Sequence, residues 1–160
     1  MGDIITTSET QFFISNASAD STVDTLAEYE GLTWIEVGDT EDLGAVGDTS
    51  AEVTGIAISE GRVRKAKGAR NAGNQQVICF HQPLDVGQQA LRDAETTKDN
   101  YAFKLVLSDT PSGGGTPTTI YYRGLVSSQP LNMGTADNIM RRTYSISVNS
   151  ALTEEPANTV

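Results

Sequence analysis

Cys79 and His81 are the only cysteine and the only histidine among the 160 residues, and they stand two apart. On an extended strand that spacing turns both side chains to one face. A thiol–imidazole nucleophile or a pair of metal ligands has this arrangement. Any Ser-His-Asp or Cys-His scheme must pass through this one imidazole. A structural zinc site needs about four ligands, and no second Cys or His exists to complete it. The reading with fewer requirements is a buried cysteine beside a strand-end histidine. No catalytic residue, metal or cofactor is expected, and the chain is not expected to be an enzyme.

Two other motifs fall short of their chemistry. Asp39-Thr40-Glu41-Asp42-Leu43-Gly44 resembles the opening of an EF-hand loop, with glycine sixth. Leu43 takes a ligand position, however, and Ser50 stands where the bidentate glutamate is required. Weak cation binding by the clustered carboxylates is the alternative. Gly68 and Gly73 bracket Ala69-Arg70-Asn71-Ala72 with P-loop spacing, but Asn74-Gln75 follows instead of Lys-Ser/Thr. A turn using two glycines explains it.

Charge is sorted along the chain. Residues 1–60 hold thirteen acids and no Lys or Arg, and the next ten residues supply Arg62, Arg64, Lys65, Lys67 and Arg70 with no acid. Two copies placed head to tail would attract through Asp39, Glu41, Asp42, Asp48 and Glu52 on one and these bases on the other. Heterologous contacts of that kind build rings or filaments. The plainer alternative is a solvated acidic surface and one exposed basic hairpin tip. An exposed ion pair contributes only a few tenths of a kcal/mol, so docking by charge needs many repeats or burial.

The formal net charge of −10 argues against ordinary nucleic-acid binding, which neutralises phosphates with Lys and Arg. Leu, Ile, Val and Phe make up 35 of the 160 residues, little above the roughly one-fifth level of disordered chains. A thin core, or one finished by a partner, is expected. A lone cysteine forms no internal disulfide, which suits a reducing cytosol. The N-terminus shows neither a signal peptide nor an apolar span, so no membrane association is expected.

The elements that position these residues are mostly strands. Gln11-Phe12-Phe13-Ile14-Ser15 reads as the first. Ser21 to Asp24 has capping-box spacing ahead of a short helical turn over residues 23–29, ended by Gly31. Residues 33–37 alternate as a strand. Residues 38–55 read as a long acidic loop with a brief strand near 43–46, and loops of that length are functional or disordered. Extended structure resumes at residues 55–58, before the basic stretch 61–73. Residues 74–81 contain a continuous apolar run, expected to be covered on both faces. Asp85 caps an amphipathic helix over Val86–Thr96, with Val86, Ala90, Leu91 and Ala94 on its packed face. Strands follow over residues 101–108, 118–127 and 142–149, the first two joined by a Gly113-Gly114-Gly115 hairpin connection. In the last strand Tyr144, Ile146 and Val148 face one way. Thr143, Ser145, Ser147 and Asn149 face the other, a neutral wet surface suited to a channel wall. Together these predict one mainly β domain over residues 1–160: a β-sandwich or open barrel with one flanking α-helix and long loops, and terminal arms at about 1–9 and 151–160.

In order, the segments are QFFIS, TWIEVGDTEDLG, VTGIAI, KAKGARNAG, QQVICF, DVGQQALRDA, YAFKLVL, a Gly-rich hairpin, IYYRGLVSS and RTYSISVNS. Over roughly residues 10–151 this succession resembles the major tail tube proteins of long non-contractile-tailed, siphovirus-like bacteriophages. The basic segment departs from the family's commoner aromatic or proline near its glycine.

The resemblance implies a β-sandwich flanked by a helix, with six copies in a ring sharing an inner β-barrel. Rings stack through long loops and terminal arms into a hollow tube that conducts DNA during ejection. It implies self-association, contact with tape-measure, tail-terminator and baseplate or tip proteins, and a place in the virion tail after assembly in the host bacterial cytoplasm. DNA would pass the lumen without specific binding, because a neutral or acidic bore does not grip phosphate. Competing expectations are a tube protein of a contractile-tail or gene-transfer particle, and a β-sandwich binding module for glycan or protein on a phage particle.

Overall fold

The computed structural model describes residues 2–160. Seven antiparallel strands form the main path of one sheet: β1 (Gln11–Ser18), β2 (Trp34–Val37), β3 (Thr40–Asp42), β6 (Asn74–Phe80), β7 (Tyr101–Val106), β9 (Thr119–Ser128) and β11 (Arg141–Val148). Their spatial order is β2-β1-β7-β9-β11-β6-β3. The two edge strands, β2 and β3, are therefore consecutive in sequence and joined only by Gly38 and Asp39. A two-residue link between opposite edges forces the sheet to curl through nearly a full turn. The edges are not hydrogen-bonded to each other, so the barrel stays open.

Alternation along each strand fills the concave side. Phe12 and Ile14, Val77 and Cys79, Phe103 and Leu105, Tyr122 and Val126, and Tyr144, Ile146 and Val148 bury into one cluster. Phe12, Phe103 and Tyr122 stack in series at 5.8 and 5.6 Å. Helix α2 (Val86–Thr96) adds Leu91 and Ala94 to this core. Asp85 caps it as expected, its Oδ2 accepting from the Gln88 N–H at 2.9 Å. The packed face is rotated from the expected one: Val86 is 62% exposed, while Gly87 and Gln88 are buried. Helix and β2 approach so closely that a Cβ at Gly87 would collide with the Glu36 carbonyl.

A smaller cluster covers part of the convex side. Helix α1 (Leu26–Glu30) brings Tyr29 onto Tyr121 at 5.3 Å, beside Trp34 and Ala102. Its cap is Thr25, not Ser21. The Glu28 carboxylate accepts from the Thr25 hydroxyl and from the Asp24 and Thr25 N–H groups, which holds its pKa down at about 2. Asp20 instead closes a local turn on Thr22.

The long acidic loop expected over residues 38–55 is largely strand. It contains β3 and most of β4 (Thr49–Ala57), whereas residues 43–46 are not in a strand. The basic stretch is β5 (Arg62–Asn71), and β4 and β5 form a separate two-stranded hairpin turning at residues 58–61. The extended structure expected at residues 55–58 falls on the end of β4; the rest of the hairpin was not read as strand, because both of its faces meet solvent. β6 is buried only on its Val77 and Cys79 side; Ile78 and Phe80 are half-exposed on the convex face. Short pieces complete the fold: β8 (Gly115–Thr116), β10 (Leu131–Asn132), β12 (Thr153–Glu155) and β13 (Asn158–Thr159). Residues 151–160, expected as an arm, lie along the domain here, with β12 paired to β9 and β13 to β8.

Candidate assembly surfaces

Cys79 is fully buried, and burial with the nearby Asp85 and Asp39 charges pushes its thiol up to about 12. A thiol so protonated is no nucleophile near neutral pH. Among the described residues no group of three or more Cys, His, Asp or Glu is arranged to hold a metal ion. Asp42 turns back on its own chain, its Oδ1 accepting from the Gly44 N–H at 2.8 Å.

The expected basic residues all stand on the β4–β5 hairpin. Its register opposes Ala57 to Arg62, Ile56 to Val63, Gly55 to Arg64, Thr54 to Lys65, Val53 to Ala66 and Glu52 to Lys67. Opposed residues share a face. One face therefore carries Val53, Arg62, Arg64 and Ala66, and the other Glu52, Ile56, Val63, Lys65 and Lys67. Every one of these side chains is exposed. Arg64 pairs with Glu60, and Lys65 with Glu52 at 3.3 Å. Among the described residues Arg62, Lys67 and Arg70 make no ion pair, and neither do Asp39, Asp42 and Asp48. The acidic and basic sets thus meet within one molecule only through Glu52.

Charge was the visible signal here; the apolar content of the hairpin was not. Val53, Ile56, Ile58 and Val63 are all at least half exposed, Ile58 at 99%. The signal was present in the Gly-Ile-Ala-Ile run of residues 55–58, but a sequence does not say that a strand lacks a covering layer.

A second surface is the convex side of β11 and β6, where neither helix packs. Tyr144, Ile146 and Val148 point inward, so Thr143, Ser145 and Ser147 point out, half-buried. Their cross-strand neighbours on β6 are Ile78, Gln76 and Asn74. This strip carries no charge until Arg141, which is paired with Glu41 of β3. Asn149 lies beyond the strand end, where its side chain donates to Asn100 Oδ1 at 2.8 Å. The Arg141–Glu41 pair joins residues a hundred positions apart and was not foreseen.

At one end of the barrel an apolar cleft of about 310 Å³ opens between Leu43, Val46, Leu105, Leu107 and Ile120, with buried Gln75 among its lining. Gln75 is fixed by donating to the Leu43 carbonyl at 2.8 Å and accepting from the Tyr122 hydroxyl. Ile5, Thr6, Thr7 and Thr10 complete its lining, and an acidic depression holding Glu9, Glu41 and Asp42 adjoins it.

No protein-family model matches the chain, and no curated protein sequence does. Solved structures do. A chain of the six-fold symmetrised anti-feeding prophage (AFP) baseplate superposes with a TM-score of 0.67 at 8% identity, over 92% of this chain and 91% of that one. The SPP1 tail tube, a hybrid solid-state NMR and cryo-EM structure, gives 0.62 at 14% identity, over 96% and 81%. A type six secretion system protein gives 0.52 at 15%, over 94% and 89%. At such identities the likeness is one of fold: this chain has the fold found in a phage tail tube and in an AFP baseplate chain.

Proposed function

We propose that this protein is a structural subunit that polymerises with its own copies into stacked rings, six to a ring, forming the hollow tail tube of a phage particle. The observation that carries this reading is the β4–β5 hairpin. A free two-stranded hairpin is marginal in water. This one projects four large apolar side chains with nothing over them, on a fold whose sheet keeps two open edges. Burying each of those side chains would contribute up to about 1.5–3 kcal/mol. An exposed ion pair contributes about 0–1 kcal/mol. The apolar residues would therefore supply adhesion, and Arg62, Arg64, Lys65, Lys67 and Arg70 would choose the partner and its register against Asp39, Glu41, Asp42, Asp48 and Glu52.

Passage of DNA follows from the second surface. With Thr143, Ser145 and Ser147 turned to the bore, the wall would offer small neutral hydroxyls and one internally neutralised arginine. Such a wall lacks the cations that neutralise phosphate, so the duplex slides. Tape-measure, terminator and baseplate proteins would cap the ends of the tube, which is built in the host cytoplasm and carried in the virion tail.

A second reading, a tube or baseplate subunit of a contractile or gene-transfer particle, draws on the likeness to the AFP baseplate chain. A glycan-binding module is less well supported, since Tyr29 and Tyr121 are buried against each other instead of flanking a groove. Negative-stain microscopy of the concentrated protein tests the proposal. Open-ended tubes are expected. Single rings that never stack would favour the baseplate reading, and a monomer at every concentration would refute both.

A further inference from the structure

We infer that Ile58, at the tip of the β4–β5 hairpin, seats in the apolar cleft walled by Leu43, Val46 and Leu107 of the next copy. The inference rests on the polymerising role proposed above and names its contact. Plug and socket match in two respects. Ile58 is 99% exposed, and Ile56 and Val63 lie just behind it as an opposed pair. The cleft is the one depression among those described whose walls are chiefly aliphatic; that at the hairpin base is lined mainly by polar residues, and that between α2 and β1 by polar and apolar residues alike. Glu60 follows the tip and pairs with Arg64, and Lys65 pairs with Glu52; Arg62 and Lys67 make no ion pair and leave the collar behind the plug net basic. Glu9, Glu41 and Asp42 adjoin the socket, in a depression that shares Thr7, Thr10, Leu43 and Gly44 with it. Apolar tip and basic collar thus meet apolar floor and acidic rim.

The socket cannot belong to the same molecule. The hairpin leaves the domain at Thr49, three residues after Val46 in the cleft wall. Eight extended steps from Thr49 to Ala57, at about 3.3 Å each, carry the tip roughly 25 Å away. Pairing runs along most of the hairpin, with one register shift near its base between Ser50 and Glu52. Each copy therefore presents one plug and one socket on different surfaces. The contact is heterologous and repeats without closing on itself between two molecules, as growth along an axis demands.

The test uses the full-length chain. Ile58→Cys and Leu107→Cys proteins are purified separately, mixed, assembled and oxidised with oxidised glutathione; Val46→Cys serves as a second socket variant if Leu107→Cys proves unstable. A disulfide-linked dimer is expected in the mixture and not in either protein alone, the native Cys79 being buried in both. In parallel, Ile58→Asp is expected to raise the critical concentration for growth at least about tenfold, and Ile58→Leu to leave it near the parent value. Tubes that grow normally from Ile58→Asp, with no cross-link in the mixture, overturn this contact while the tube reading stands. A parent protein that never forms tubes overturns both.

Discussion

The side-chain amide of Gln88 donates to the carbonyl of Gly38 at 3.0 Å, tying the first turn of α2 to the link between the two sheet edges. The same nitrogen donates to the Phe80 carbonyl at 2.9 Å, and the Gln88 carbonyl oxygen accepts from the Gln82 N–H. One fully buried glutamine thus holds together the end of β6, the corner between β2 and β3, and the helix. Asp85 adds a bond, its Oδ2 accepting from the Gly38 N–H at 3.2 Å.

Gln88→Leu should therefore destabilise the fold well beyond an ordinary surface change. It leaves the part-buried carbonyls of Gly38 and Phe80 without this donor, at up to about 1–3 kcal/mol for each group left unsatisfied. Gln89→Leu, one residue along on the exposed side, should change stability by less than about 1 kcal/mol. Urea unfolding of both variants, compared at their midpoints, checks the contrast.

Gly87→Ala sets two effects against each other. Alanine favours the helix by about 1 kcal/mol over glycine. The added methyl, however, runs into the Glu36 backbone, which cannot move aside as a side chain would. Overpacking costs about 1–3 kcal/mol, so net destabilisation is expected. A raised melting temperature would show that α2 sits farther from β2.

Glu28 has a folded-state pKa lowered from 4.5 to about 2 by its bonds to Thr25 and Asp24. A depressed carboxyl stabilises the fold above its unfolded pKa and loses that contribution as pH falls through the folded one. The difference in melting temperature between the parent and Glu28→Ala should be full near neutral pH. It should shrink between about pH 4.5 and about pH 2. A difference independent of pH would assign the effect to helix propensity alone.

Reversing Arg62, Arg64 and Lys65 to Glu should leave the melting temperature nearly unchanged, since all three are exposed. Tube growth should fail at low salt. Added salt should restore it in part, because screening relieves the new like-charge contacts and the apolar tip remains. Tubes of normal length at low salt would remove charge from the docking account.

Ser145→Lys with Ser147→Lys should still fold and assemble, both residues lying on the uncovered convex face. The resulting tubes should retain double-stranded DNA in a salt-dependent manner where the parent does not. Fluorescence anisotropy of labelled DNA added to assembled tubes reads the difference. Unchanged weak binding would place this face outside the bore.

Strands with one buried side declared themselves in the residues. In β11 Tyr144, Ile146 and Val148 alternate with Thr143, Ser145 and Ser147, and burial on one face requires that pattern wherever the strand sits in the sheet. Asp85 marked the start of α2 because its cap bond spans only three residues. Composition likewise bore on a metal site at Cys79 and His81, since no second Cys or His exists to complete one. What stayed hidden depended on neighbours distant in the chain. β4 and β5 have no covered face, so nothing in their order of side chains distinguishes a projecting hairpin from a loop. Val86 looked like a core residue and Gln88 like a surface one. The close approach of β2 at Gly87 and the carbonyls of Gly38 and Phe80 reversed them. The plug at Ile58 and the socket around Leu107 exist as surfaces only because the sheet curls. Curling brings residues 5, 43 and 120 to one opening and leaves the hairpin roughly 25 Å out from it.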